Sequence, residues 1–206
     1  MAKQKKKDRS FTNSYLKAIQ ADFGEEKGKN LCESITKRVA ELGKLVDDKG
    51  NAVVHRHIHD NILPVVACYE LLKESGMAPE AALAKASALM HDIFRKQVDS
   101  IRKVTKIPFF YKIFKKALPM IIKRNYPPAG WDMRFKQVDN KEISFDCHRC
   151  IYFDTTVTLA CPELCEAFCK NDDITYVALY PKIKFVRTKT LGAGGDCCDF
   201  RMFNGK

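Results

Sequence analysis

A double proline, Pro127-Pro128, followed by Ala129-Gly130, divides the chain into two stretches with different hydrophobic periods. Proline brings no backbone N–H and pushes its predecessor out of the helical region, so no helix runs through this point. Upstream, Leu31, Ile35, Val39 and Leu42 recur at three- and four-residue steps, the spacing of one helical stripe. Ile58, Ile62, Val65, Tyr69 and Leu72 repeat the pattern, with Pro64 as a kink within the run and Gly76 as its stop. Pro79, with Glu80 behind it, opens the next helix. Downstream, "MRFKQV" and "EISFDC" alternate with period two around Asp139-Asn140-Lys141, which reads as a hairpin. A further helix opens at Cys161-Pro162, and "KIKFVRTKTL" and "CCDFRMF" read as two more strands. The class is α+β: a helical region over 10–125 packed on a small antiparallel sheet with one or two helices over 126–206. The two are expected to form one integrated domain over 10–206.

Charge is concentrated rather than spread. Residues 1–9 hold five cations and Asp8, a net +4, and residues 101–125 hold eight cations and no acid. These two stretches account for the whole formal charge of +11. The first reads as a disordered, solubilising basic tail. The second, "KIPFFYKIFKKALPMIIKRN", carries Phe109, Phe110, Ile113, Phe114 and Ile121 among its lysines. Such a segment can lie on an anionic membrane surface, but Pro119 breaks up any long interfacial helix, and the preferred reading is a core-facing helix with solvated lysines. No zinc-finger spacing or aromatic-bearing strand motif supports nucleic-acid binding. No apolar run approaches a membrane span, and the positive start is not followed by a signal-peptide core. The protein is expected to be cytoplasmic.

Nine cysteines, an odd number, in such a chain argue for free thiols rather than a disulfide framework. Seven lie after residue 146 (Cys147, Cys150, Cys161, Cys165, Cys169, Cys197 and Cys198), a clustering that suggests a thiol or metal site. Any one of them alone is adequately explained as a small buried hydrophobe. Cys147-His148-Arg149-Cys150 is a CxxC without a nearby second pair, which is weak for zinc. Cys161, Cys165 and Cys169 follow one helical stripe, and Asp172 follows Cys169 closely enough to meet it at the helix end. His55, His57 and His59 lack the glutamate of a zinc-binding HExxH, since position 56 is Arg56, and read as a polar helix start.

Strand alternation sorts the last cysteine pair. Cys198, Phe200 and Met202 share an apolar face, whereas Cys197, Asp199, Arg201 and Phe203 share the other. Cys198 is therefore the buried, positioned thiol and Cys197 the peripheral one. Gly192, Gly194 and Gly195 just ahead permit close approach, so their N–H groups could cradle an anion, although a plain turn explains them equally.

The same residues carry a resemblance to the L-2-amino-thiazoline-4-carboxylic acid hydrolase family. The matching positions are Cys150, Pro162-Glu163-Leu164, Cys169 with Asp172, Thr190-Leu191, Gly194-Gly195 and Cys198-Asp199-Phe200-Arg201. Upstream, "ILPVVACYELLKESGMAPEAAL" resembles the family's helical segment, and the likeness spans roughly residues 50–203. Cys147, Cys161, Cys165 and Cys197 fall outside the pattern. The resemblance implies hydrolysis of a carbon–nitrogen bond in a small cyclic amidine, on the route from 2-aminothiazoline-4-carboxylate to cysteine. It implies a catalytic set of Cys150, Cys169, Asp172 and Cys198. A thiolate would attack, Asp172 would relay protons, and Arg201 or the turn at Gly194 and Gly195 would hold the substrate carboxylate. A second mechanism uses Cys150, Cys169 and Cys198, with Asp172 or His148, as zinc ligands that generate hydroxide. A zinc-binding or small-molecule-sensing module without catalysis is the alternative function. The sequence leaves open the natural substrate, the nucleophilic cysteine, the metal and the oligomeric state.

Overall fold

The computed structural model describes residues 10–205. The basic stretch over residues 1–9, expected to be a tail, lies outside the described residues. The chain forms two compact units, one from the described residues up to Ile93 with Thr155–Leu164, the other from Phe94–Asp154 with Cys165 onward. The helices between residue 94 and the double proline thus belong with the sheet.

The first unit contains α1 (Phe11–Phe23), α2 (Glu25–Leu42), α3 (Ala52–Arg56), α4 (Leu63–Glu74) and most of α5 (Pro79–Arg95). Ser10 caps α1 by accepting from the Asn13 N–H, and Asn51 caps α3 by accepting from Val53 and Val54. The kink expected at Pro64 takes a specific form. A π-helical stretch, His57–Ile62, widens the backbone ladder immediately before the proline that cannot donate to it. Ile58, Ile62, Val65, Tyr69 and Leu72 are all buried, as their period predicts. Leu63, Val66, Ala67 and Cys68 are buried too, so the first two turns of α4 are buried all round. Tyr15 lies in this core and donates to the Ala86 carbonyl at 3.1 Å. His55 and His59 stack at 4.1 Å, and His55 Nδ1 sits 2.8 Å from Asp48.

The second unit contains α6 (Val98–Val104), α7 (Phe110–Asn125), β1 (Trp131–Val138), β2 (Glu142–Cys150), α9 (Glu163–Val177), β3 (Ile183–Val186) and β4 (Cys198–Asn204). The intervening α8 (Ile151–Thr158) and the start of α9 straddle the division between units. The strands form one antiparallel sheet in the order β1-β2-β4-β3. The hairpin is set by Asp139, whose carboxylate accepts from the Lys141 and Glu142 N–H groups at 2.7 and 2.9 Å. Across β2 and β4 the register pairs Ile143 with Met202, Phe145 with Phe200 and Cys147 with Cys198. That places an apolar, sulfur-bearing row on one face of the sheet.

Two expectations are corrected. The strand read over "KIKFVRTKTL" ends at Val186, because the next N–H groups find a side-chain acceptor instead of a partner strand. Thr188 and Lys189 donate to one oxygen of Asp199 at 2.9 and 2.8 Å. The apolar residues of the basic segment do not all face the core either. Phe110, Leu118 and Ile122 are buried, but Phe109, Ile113 and Ile121 are exposed. Among the described residues no helix is long and apolar enough to cross a membrane.

All nine cysteines are free. Thiol titration of freshly purified protein in denaturant should therefore find close to nine, and five or fewer would contradict this.

Candidate active site

Helix α9 brings Phe168, Cys169, Asp172 and Tyr176 to one side, at the spacing of successive turns. The sheet supplies Phe145 and Cys147 from β2 and their cross-strand partners Phe200 and Cys198 from β4. Cys150 ends β2 opposite Trp131, and Arg187 follows immediately after β3. Together these enclose a cavity of about 160 Å3. Its remaining wall is aromatic: Trp131 meets Tyr126 edge-on at 5.2 Å, and Tyr152 meets Phe168 edge-on at the same separation. A pocket of this size and lining suits a single flat ring, with a few polar groups left to orient it.

Those polar groups include thiols, one carboxylate, one guanidinium and the Asn171 amide. The Cys198 sulfur accepts from the Leu191 N–H at 3.3 Å and is hydrogen-bonded to Cys169. Cys147 is hydrogen-bonded to Cys150 and donates to the Arg149 carbonyl at 3.0 Å. The contact with Cys169, then burial, pushes the Cys198 thiol up, and the Leu191 N–H and Arg187 only partly offset this. The Cys150 contact and burial do the same to Cys147, and Cys169 is raised by its bond to Cys165 and by burial. These thiols rest protonated near neutral pH, so attack by one of them needs a nearby base.

Asp172 is the carboxyl that lines the same cavity. Burial pushes its carboxyl up to about 6, against the opposing pull of Arg187. Its side chain is still 40% exposed, and it lines the cavity. Arg187 is 5% exposed and fixes it. The guanidinium donates to Asp172 at 3.1 Å, to Asp173 at 2.7 Å and to the Cys169 carbonyl at 2.9 Å. It also lies near the Phe185 and Phe200 rings, 5.8 and 5.3 Å from their centroids. The carboxylate and Cys169 are thereby held to one arginine.

A family model described as L-2-amino-thiazoline-4-carboxylic acid hydrolase matches residues 55–202, most of the chain and the whole of this cavity's lining. The chain belongs to that family. A comparison with curated proteins finds no match. Among solved structures, the Fe(II) unliganded H-NOX protein from K. algicida is similar at a TM-score of 0.37 and 8% identity, over 95% of each chain. At that TM-score the likeness carries no argument.

In this L-2-amino-thiazoline-4-carboxylic acid hydrolase family member, Cys150, Cys169, Asp172 and Cys198, separated in sequence, line one cavity. Cys147, which falls outside the family-like pattern, lines it as well. Its signal was available: Ile143, Phe145 and Cys147 alternate onto the face that Cys198 and Phe200 share. Arg187 was also overlooked. It continues the inward alternation of Ile183 and Phe185, and an arginine at an apolar-face position is a mark of a buried charge with a purpose.

Other expected residues lie elsewhere. Arg201 is on the opposite sheet face, 2.9 Å from Asp146, with its guanidinium also donating to the Phe145 and Phe200 carbonyls. The N–H groups of Gly194 and Gly195 are donated inside their own turn, to Leu191 and Thr190, so they do not form an anion cradle. What the turn delivers to the cavity is the Leu191 N–H on Cys198. It can come this close because Gly192 abuts Cys165, where an added Cβ would meet the sulfur at 3.0 Å. Cys197 is not peripheral but 2% exposed, since the loop before it folds back and Lys189 reaches it. Among the described residues, no three His, Cys, Asp or Glu side chains are arranged to hold a metal ion.

Proposed function

We propose that this protein hydrolyses a carbon–nitrogen bond of a small cyclic amidine of the 2-amino-thiazoline-4-carboxylate type, within the thiol-lined cavity. The observation that carries the reading is the convergence of Cys198, Cys169, Cys150 and Asp172 on one small, largely aromatic space. A protonated amidine is flat and presents N–H donors. The aromatic walls receive the ring, and the Asp172 carboxylate accepts from its nitrogens.

The chemistry then follows from what each group holds. Cys198 adds to the amidine carbon as Asp172 takes its proton. The carbon–nitrogen bond breaks as that proton passes to the departing nitrogen. Water, deprotonated in turn by Asp172, displaces the sulfur and restores the thiol. The net reaction consumes one water per bond broken. The Leu191 N–H and Arg187 favour negative charge on the Cys198 sulfur as it forms.

This assigns a pH dependence to one carboxyl. Asp172 accepts protons only when ionised, so turnover should fall as pH drops through about 6. The linked stability runs the opposite way. The folded state keeps this proton where the unfolded chain has lost it, so the group destabilises the fold as pH rises from the ordinary carboxylate range to about 6, and no further above that. Profiles of kcat/KM against pH for the wild type and Asp172→Asn test the assignment. The variant should lose most activity and the acid limb with it; a fully active variant with an unchanged limb would refute it.

A further inference from the structure

The second unit carries a surface that the hydrolytic cavity does not use. Between Val104 and Ile121 the chain exposes Val104, Ile107, Phe109, Ile113, Met120 and Ile121. Phe109 is the most exposed, at 81%, and its backbone is left-handed (φ 57°, ψ 31°). That conformation is costly for a bulky residue, and here it holds an aromatic ring in solvent rather than in a core. Phe109 stands just ahead of α7, and along the helix Ile113 and Met120 lie two turns apart, opposite the buried Tyr111, Leu118 and Ile122. Lys112, Lys116, Lys123 and Arg124 stand exposed around this row.

A separate observation adjoins the same tip. Phe109 forms one wall of an open cleft of about 360 Å3 whose polar lining is Lys106, Lys112, Lys182, Asn140 and Asn204. Three cations converge there, whereas Asn204 Nδ2 donates to the Asn140 carbonyl and Asn140 Oδ1 accepts from Lys115. The surrounding sequence, residues 101–125, holds eight cations and no acid.

We propose that this face docks the protein peripherally on an anionic lipid bilayer. Phe109, Ile107 and Ile113 enter the headgroup–acyl boundary, and the lysine cleft receives a lipid phosphate. Charge complementarity selects this occupant. A second copy would bring the same eight cations face to face, and a nucleic acid has no use for the row of aliphatic side chains.

The test is flotation of the full-length protein with vesicles. It should float with phosphatidylcholine–phosphatidylserine vesicles and remain behind with pure phosphatidylcholine, and added salt should weaken binding. Phe109→Asn combined with Ile113→Ser should reduce binding about tenfold, and so should Lys112→Glu combined with Lys182→Glu. Asparagine suits the left-handed position better than phenylalanine, so the first variant stays folded, which circular dichroism checks. Equal binding to neutral vesicles, indifference to both variant pairs, or binding to heparin but not to anionic vesicles would each overturn the proposal.

Discussion

Replacing Arg187 by methionine should destabilise the protein by roughly 2–3 kcal/mol and remove its hydrolytic activity. The guanidinium is 5% exposed and anchors Asp172, Asp173 and the Cys169 carbonyl at once. Methionine fills much of the volume but leaves Asp172 without its cation and Asp173 with only the exposed Lys170, at 3.6 Å. Breaking a fully buried pair costs about 3–5 kcal/mol, and the partial exposure of both carboxylates places this site below that range. Lysine should not rescue it, because one ammonium cannot reproduce a planar fork that meets three acceptors. Urea unfolding of Arg187→Met and Arg187→Lys measures the loss. A change within about 0.5 kcal/mol of wild type would mean that the arginine organises nothing.

Cys198→Ser should abolish hydrolysis while the fold survives. The hydroxyl is smaller and less easily ionised than the thiol, and placing it in the buried position costs about 1–3 kcal/mol. Cys150→Ser should behave similarly if its thiol shares the chemistry. The control is Cys68, a thiol of the first unit that burial pushes up to about 11. Cys68→Ser should cost comparable stability and keep turnover. Cys197→Ser should keep turnover too, although its burial now predicts a stability loss rather than silence. Steady-state assays beside melting curves separate these outcomes. Comparable inactivation by Cys68→Ser, or an active Cys198→Ser, would remove the thiol from the mechanism.

The fold class was legible because period changes from helical to alternating at one punctuated place, and that change reflects which side of each element is buried. Pro64 was visible as a disturbance, but its resolution as a π-helical stretch depends on the hydrogen-bond ladder, which the sequence does not display. Four cavity residues could be named because family-like spacing and strand parity agreed on Cys198. Cys147 and Arg187 were missed for different reasons. The alternation of Ile143, Phe145 and Cys147 was legible, but that this face meets Cys198 is set by the β2–β4 register, a long-range property. Finding Arg187 requires following the inward parity of β3 one residue pair past the strand's end. The glycine turn misled because glycine marks backbone freedom without saying where the freed N–H groups point. The basic segment misled because a helix can bury one stripe and expose another, and composition records both.

Trp131 offers the most direct test of the central claim, that the thiol-lined cavity is where the amidine binds. It is the chain's single tryptophan, 3% exposed, and lines the cavity edge-on to Tyr126. Titrating 2-amino-thiazoline-4-carboxylate into the Cys198→Ser protein, which should bind without turning over, while following Trp131 fluorescence reads occupancy directly. The account predicts a saturable change in emission. Hydrolysis by the wild type with Trp131 emission unmoved at every substrate concentration would contradict it.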